Sequence, residues 1–256
     1  MIKENEFHPN EVTAMRKIAI LFYLIASVLL LCQVSNAELL VADDFKGKLK
    51  DKYWKGQKES WDIKKEHLEI HRVAGDGNGA EDFGYGVVDF EDFGLRLDFY
   101  LFDDPQPSKM ELLFRANEDL HFYQLIITPA DGFGRPNSAR WYKREGEDRG
   151  TWNEYIDFRD EFPIQIQTKE WYTLALLGDG SDFELYIKRQ GELSFEKVSD
   201  LSDVKNLHPK GVLGFHTNQL QHYYIDNLFL YDRPNEVSLA VEPHGKLAVT
   251  WAALKQ

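Results

Sequence analysis

The sequence predicts an all-β fold in which two antiparallel sheets pack face to face. Three observations point there. From Leu39 onward, short segments alternate apolar and polar residues; Gly, Asp and Asn interrupt them at hairpin distances; and no long stretch at helical spacing intervenes before the last few residues. Many short strands without helices between them favour a β-sandwich over a parallel α/β fold. The 256 residues, 43% hydrophobic and 14% aromatic, supply one sizeable core.

The first element is set apart from the rest. Arg16 and Lys17 precede the apolar run IAILFYLIASVLLLC, which is shorter than the roughly 18 residues of a membrane span. Ser35 and Ala37 supply small residues for cleavage. Residues 1–37 therefore read as an N-terminal signal helix removed after Ala37, with residues 1–14 an over-extended start before Met15. The expected product is secreted and keeps no stable membrane span; a retained anchor helix and lipid attachment at Cys32 are the alternatives. Cys32 is the only cysteine, so a chain cut after it forms no disulfide and no thiolate metal site.

Residues 38–233 carry the predicted sandwich. WDIKKEHLEIHRV (61–73) gives two short strands around a charged turn. FGLRLDFYLF (93–102) is the clearest strand, with Phe93, Leu95, Leu97, Phe99 and Leu101 on one face and Arg96, Asp98 and Tyr100 on the other. MELLFRAN (110–117), HFYQLIITP (121–129) and RWYKREG (140–146) follow. EWYTLALL (170–177) and FELYIKRQ (183–190) are joined by the turn GDGSD. GVLGFHTNQLQHYYIDNLFLYD (211–232) closes the series as two strands around a polar break. Residues 234–256 read as a linker and tail, helical from Lys246, that could be a docking tail, a strap or the start of a further domain.

In this order the segments resemble the concanavalin A-like lectin/glucanase sandwiches, and within them the laminin-G-like jelly rolls and the 3-keto-disaccharide hydrolase domain. The resemblance spans about Leu40 to Asp232 and implies an extracytoplasmic jelly roll that handles sugars. Where such domains often have a short link, this chain runs from Pro129 to Pro163 through an aromatic, charged insertion.

The family's glucanases place carboxylates in an E-x-D-x-x-E pattern on one strand, which this sequence lacks. Glu154, Asp157, Asp160 and Glu161 are the nearest acidic cluster and read as a solvated loop. Alginate-lyase relatives carry Arg, Gln, His and Tyr motifs; here FYQLIIT offers Gln124 without its histidine partner. His67 and His71 have zinc-like spacing for a helix, but on a strand they stand about 13 Å apart. GDGNGAED (75–82) offers hard oxygen ligands and is the one candidate for calcium, although it fails EF-hand spacing and reads more simply as a polar turn. No other cofactor and no metal ligand set is expected. The same loop matches a dinucleotide fingerprint by accident, since no helix follows it. A formal net charge of -13 argues against a nucleic-acid partner.

The expected partner is a glycan or polysaccharide. Trp141, Tyr142, Trp152 and Tyr155 lie among arginines and carboxylates in the insertion, the mixture that covers the C–H face of a pyranose and bonds its hydroxyls. Arg115, a charge in an otherwise apolar strand, and Gln124 supply the complementary wall. Arg96 and Asp98 read as a cross-strand charge lattice, and His216 and His222 as rim residues without a role. The reading is a secreted carbohydrate-binding sandwich that does not cleave its ligand. The alternatives are a sugar-cleaving enzyme, of glycoside hydrolase or 3-keto-disaccharide hydrolase type, and a structural surface module. Oligomeric state stays open.

Overall fold

A computed structural model of the chain describes residues 37–55, 60–71, 82–104, 107–117, 119–132, 135–144, 159–205, 208–217, 221–237 and 239. The signal segment, the candidate calcium loop, Trp152, Tyr155 and the C-terminal helix lie outside the described residues. The described chain is all-β, without an α-helix, and its only helical turn is the 3-10 segment Pro234–Glu236. No helix among the described residues is long and apolar enough to cross a membrane.

Two antiparallel sheets form a sandwich. The eight-stranded sheet runs β12 (Glu196–Ser202), β11 (Asp182–Arg189), β10 (Trp171–Asp179), β5 (Phe93–Leu101), β14 (His222–Tyr231), β3 (His67–His71) and β2 (Trp61–Lys64), and β1 (Leu39–Asp43) also pairs with β14. The six-stranded sheet runs β4 (Asp82–Phe90), β13 (Gly211–Thr217), β6 (Met110–Ala116), β7 (Phe122–Thr128), β8 (Ser138–Arg144) and β9 (Arg159–Glu161).

Alternation builds the core. Phe93, Leu95, Leu97, Phe99 and Leu101 of β5 are all fully buried, and Leu97 and Leu95 pair across the ladder with Leu174 and Leu176 of β10. From the facing sheet, Met110, Leu112, Phe114, Leu125 and Ile127 join them. Each such side chain contributes about 1.5–3 kcal/mol when removed from water. Close approach is needed at Gly84 of β4, where a Cβ would stand 1.9 Å from the Trp61 ring.

One expectation is corrected. β8, read in the sequence as RWYKREG, is joined by β9 at the edge of the six-stranded sheet, so Asp160 and Glu161 pair with Ala139 and Ser138 and do not lie in a solvated loop. The two strands around the polar break near residue 219 belong to different sheets: β13 lies between β4 and β6, and β14 at the centre of the other layer. The chain crosses the sandwich there, as it does between β5 and β6.

Candidate functional site

The outward face of the six-stranded sheet holds a connected group of buried polar residues, Glu111, Gln124 and His216. Tyr85 pairs with Gly214, Gly214 with Leu113, Leu113 with Gln124, and Gln124 with Tyr142. Five neighbouring strands thus present one row, with an aromatic phenol at each end and a glycine near the middle. No side chain stands at Gly214, where a Cβ would meet the Gly84 carbonyl at 2.6 Å.

The centre of the face is a buried polar cluster. Glu111, 4% exposed, accepts hydrogen bonds from Gln124 Nε2 (2.5 Å) and Gln221 Nε2, and faces His216 Nδ1 at 2.5 Å. Gln124 and His216 are themselves 3.3 Å apart. A buried carboxylate survives only when donors converge on it, and here they come from β7, β13 and the residue preceding β14. Tyr223, reaching through the core from β14, donates to the His216 carbonyl at 2.9 Å and fixes that part of β13.

Several polar atoms of this face are buried without a hydrogen-bond partner among the described residues: Gln124 Oε1, His216 Nε2 and Tyr85 Oη. If Nδ1 of a neutral His216 carries the proton shared with Glu111, Nε2 is left as an acceptor. Burial pushes the Tyr85 phenol up to about 12 despite the nearby Arg144, so it stays a neutral donor at physiological pH. Phe83 stacks on His216 at 4.4 Å, and the Arg144 guanidinium lies 5.3 Å over Phe83. Arg140 donates to the Tyr142 hydroxyl at 2.9 Å. Beside the row is a hollow of about 650 Å³, lined by Tyr85, Val87 and Val212 with Asp89, Asn117 and Lys210. Its size and mixed lining are those of a small-ligand site.

The predicted site residues divide. Gln124 and Tyr142 stand together in the row. Trp141, the neighbour of Tyr142, points the opposite way, 1% exposed, against Phe114 and Phe183, with its indole N–H donated to Ser199 Oγ at 3.2 Å. Its ring belongs to the core, because adjacent strand residues face opposite layers. Arg115 likewise lines no wall. At φ 49° it leaves the strand geometry, and its buried guanidinium donates to the carbonyls of Glu91 (3.0 Å), Gly180 (2.6 Å) and His208 (3.4 Å) beneath Phe183. The expectation that His216 is an idle rim residue is overturned by its 2% exposure and its contact with Glu111. Gln124 does have a histidine partner, supplied by a strand 92 residues away. Glu111 was readable as the lone acid in an apolar strand; Gln221 left no local signal. Among the described residues no group of three His, Cys, Asp or Glu is arranged to hold a metal ion.

No family model matches the chain, and no curated protein matches it. Solved structures do. A carbohydrate-binding module, CBM66, from Bacillus subtilis aligns at TM-score 0.50 and 16% identity, over 68% of this chain and 92% of that one. The exoplasmic/lumenal domain of VIP36, in its Ca2+/Man2-bound form, aligns at TM-score 0.53 and 9% identity, covering 79% and 89%. A GlcNAcα1-4Gal-releasing endo-β-galactosidase from Clostridium perfringens aligns at TM-score 0.51 and 11% identity, covering 78% and 64%. At such identities the likeness concerns architecture alone, and with the strand order above it establishes that the fold of this chain is a concanavalin A-like jelly roll.

Proposed function

We propose that the protein is a secreted carbohydrate-binding sandwich whose glycan lies on the outward face of the six-stranded sheet. One observation carries the reading: polar atoms of Gln124, His216 and Tyr85 are buried on one face without a partner among the described residues, and of the three Tyr85 also lines an open hollow. Unpaired buried polar groups are costly, and sugar hydroxyls, which donate and accept at once, are suited to satisfy them. Tyr85 and Tyr142 would cover the apolar faces of the sugar rings. The likeness to a carbohydrate-binding module and to a domain bound to Man2 supports the same ligand class. The apolar N-terminal run and the VIP36 domain's exoplasmic/lumenal setting support export, for which N-terminal sequencing of the exported protein should begin at Glu38.

A second reading has its own support. Glu111 against His216 Nδ1, with Nε2 free of described partners, is the arrangement of a general base held by an orienting carboxylate, a group able to take a proton in sugar cleavage. A glycan array run beside a reducing-sugar release assay separates the two. Retention without release supports binding, release establishes the enzyme, and neither on any glycan removes both.

A further inference from the structure

The outward face of the eight-stranded sheet, on the far side of the molecule from the site above, carries a second organised surface. Trp171 pairs with Tyr100, Tyr100 with Tyr224, Tyr224 with Glu69, and Glu69 with Asp62. This row crosses β10, β5, β14, β3 and β2 with one side chain from each. Its ring centroids are 5.5 Å apart between Trp171 and Tyr100 and 5.9 Å between Tyr100 and Tyr224. Phe102 stacks on His222 at 3.7 Å and meets Tyr224 at 4.7 Å, and His67 lies 4.9 Å from Trp171. All of these rings are half-buried, so each still presents surface to solvent.

The next row along the same strands is polar. Thr173 pairs with Asp98 and Asp98 with Asp226. Asp98 accepts from Thr173 Oγ1 at 2.6 Å, Asn227 Nδ2 at 2.9 Å and Gln190 Nε2 at 3.2 Å. Asp226 is 3.2 Å from His67 Nδ1. Burial and then repulsion from Asp98 raise the Asp226 carboxyl, opposed by the Asn227 amide and His67. The ladder between β14 and β5 slips between Asp226 and Phe229, with Asn227 at φ 46°. Such a bulge turns a side chain out of the regular alternation, here aiming the Asn227 amide at the acceptor row.

We propose that this face is a second carbohydrate-binding site, for an extended neutral glycan lying across the strands. Rings stepped by one strand spacing, about 4.8 Å, offer successive platforms for sugar rings, and beside them the partly exposed Asp226 and Asn227, held in place by the buried Asp98, face the same ligand's hydroxyls. The face carries both signs, because Glu69 is paired with Lys64 and His222 and the polar row continues to Lys188, so the preference for a neutral glycan follows from the net charge of -13, which repels uronate or sulfate groups.

The test is affinity electrophoresis of the intact protein in gels containing laminarin, mixed-linkage β-glucan, xylan or galactomannan, with alginate as the anionic control. Retardation by at least one neutral glycan, weakened at least tenfold in Trp171→Ala but no more than twofold in Val204→Ala, an exposed position in neither row, establishes the site. Should Trp171→Ala fail to fold, titration of the wild-type protein with an oligosaccharide of the retarding glycan must shift the Trp171 indole N–H resonance. No retardation by any neutral glycan, equal retardation by alginate, or retardation indifferent to Trp171→Ala with a silent indole resonance overturns the proposal. Self-association lost in Trp171→Ala without glycan retardation also overturns it and gives the face to a second copy. Loss of binding in Gln124→Ala alone leaves the six-stranded face as the sole site, so the two readings fail separately.

Discussion

Tyr85 and Arg115 illustrate opposite fates of a buried polar group. Arg115 directs its donors at three backbone carbonyls and holds loops together, so its charge is structural. The Tyr85 hydroxyl is buried without a partner among the described residues, and it contributes nothing visible to the fold. Tyr85→Phe is therefore expected to leave the unfolding midpoint unchanged or slightly raised, while weakening glycan binding about tenfold, or about 1.4 kcal/mol; calorimetry on both variants checks it. Sequence reasoning placed Gln124 on the polar face of its strand because the alternation of that strand was legible. It missed His216 and Gln221 because their partner Glu111 lies 105 and 110 residues away. It also took neighbouring rings, Trp141 and Tyr142, for one surface, although parity on a strand sends them to opposite layers.

Among the elements, β5 was the most legible, since five apolar residues at period two admit one orientation on a half-buried sheet. The sheet membership of β13 and β14 was not legible: both have the same pattern, and only the core decides which layer each joins. At the edge of the six-stranded sheet β8 was legible as RWYKREG, whereas β9, three charged residues long, is too short to show an alternation. β4 depends on a missing side chain. Gly84→Ala would drive a Cβ into the Trp61 ring, which is wedged against Trp54 and Phe215 and has no room to yield. Overpacking of this kind costs about 1–3 kcal/mol, and the denaturant midpoint of Gly84→Ala should fall accordingly. An unchanged midpoint would mean that β4 does not pack against Trp61 as described.

At the scale of the sandwich the two layers are joined by packing and by a buried ionic tie. Asp203, just past β12, accepts from Tyr123 Oη at 2.8 Å and Lys143 Nζ at 3.2 Å on the facing sheet. Burial would raise the Asp203 carboxyl, but these donors outweigh it and hold it below the ordinary aspartate range. A carboxyl lowered in the folded state stabilises fully above its unfolded value, about 3.9, and that contribution is lost as pH falls through the folded value. Thermal stability should thus decline on acidification below about pH 4, and Asp203→Asn should flatten that limb while costing about 1–3 kcal/mol at neutral pH by removing the charged acceptor shared by Tyr123 and Lys143. A pH series of melting curves for both proteins checks the sign. The central claim, that the outward face of the six-stranded sheet holds the glycan, is tested most directly by a crystal structure with an oligosaccharide selected on the array. Sugar over the Tyr85–Gln124–Tyr142 row, with a hydroxyl bonded to Gln124 Oε1 or Tyr85 Oη, is the predicted result; sugar bound only elsewhere on the molecule would contradict it.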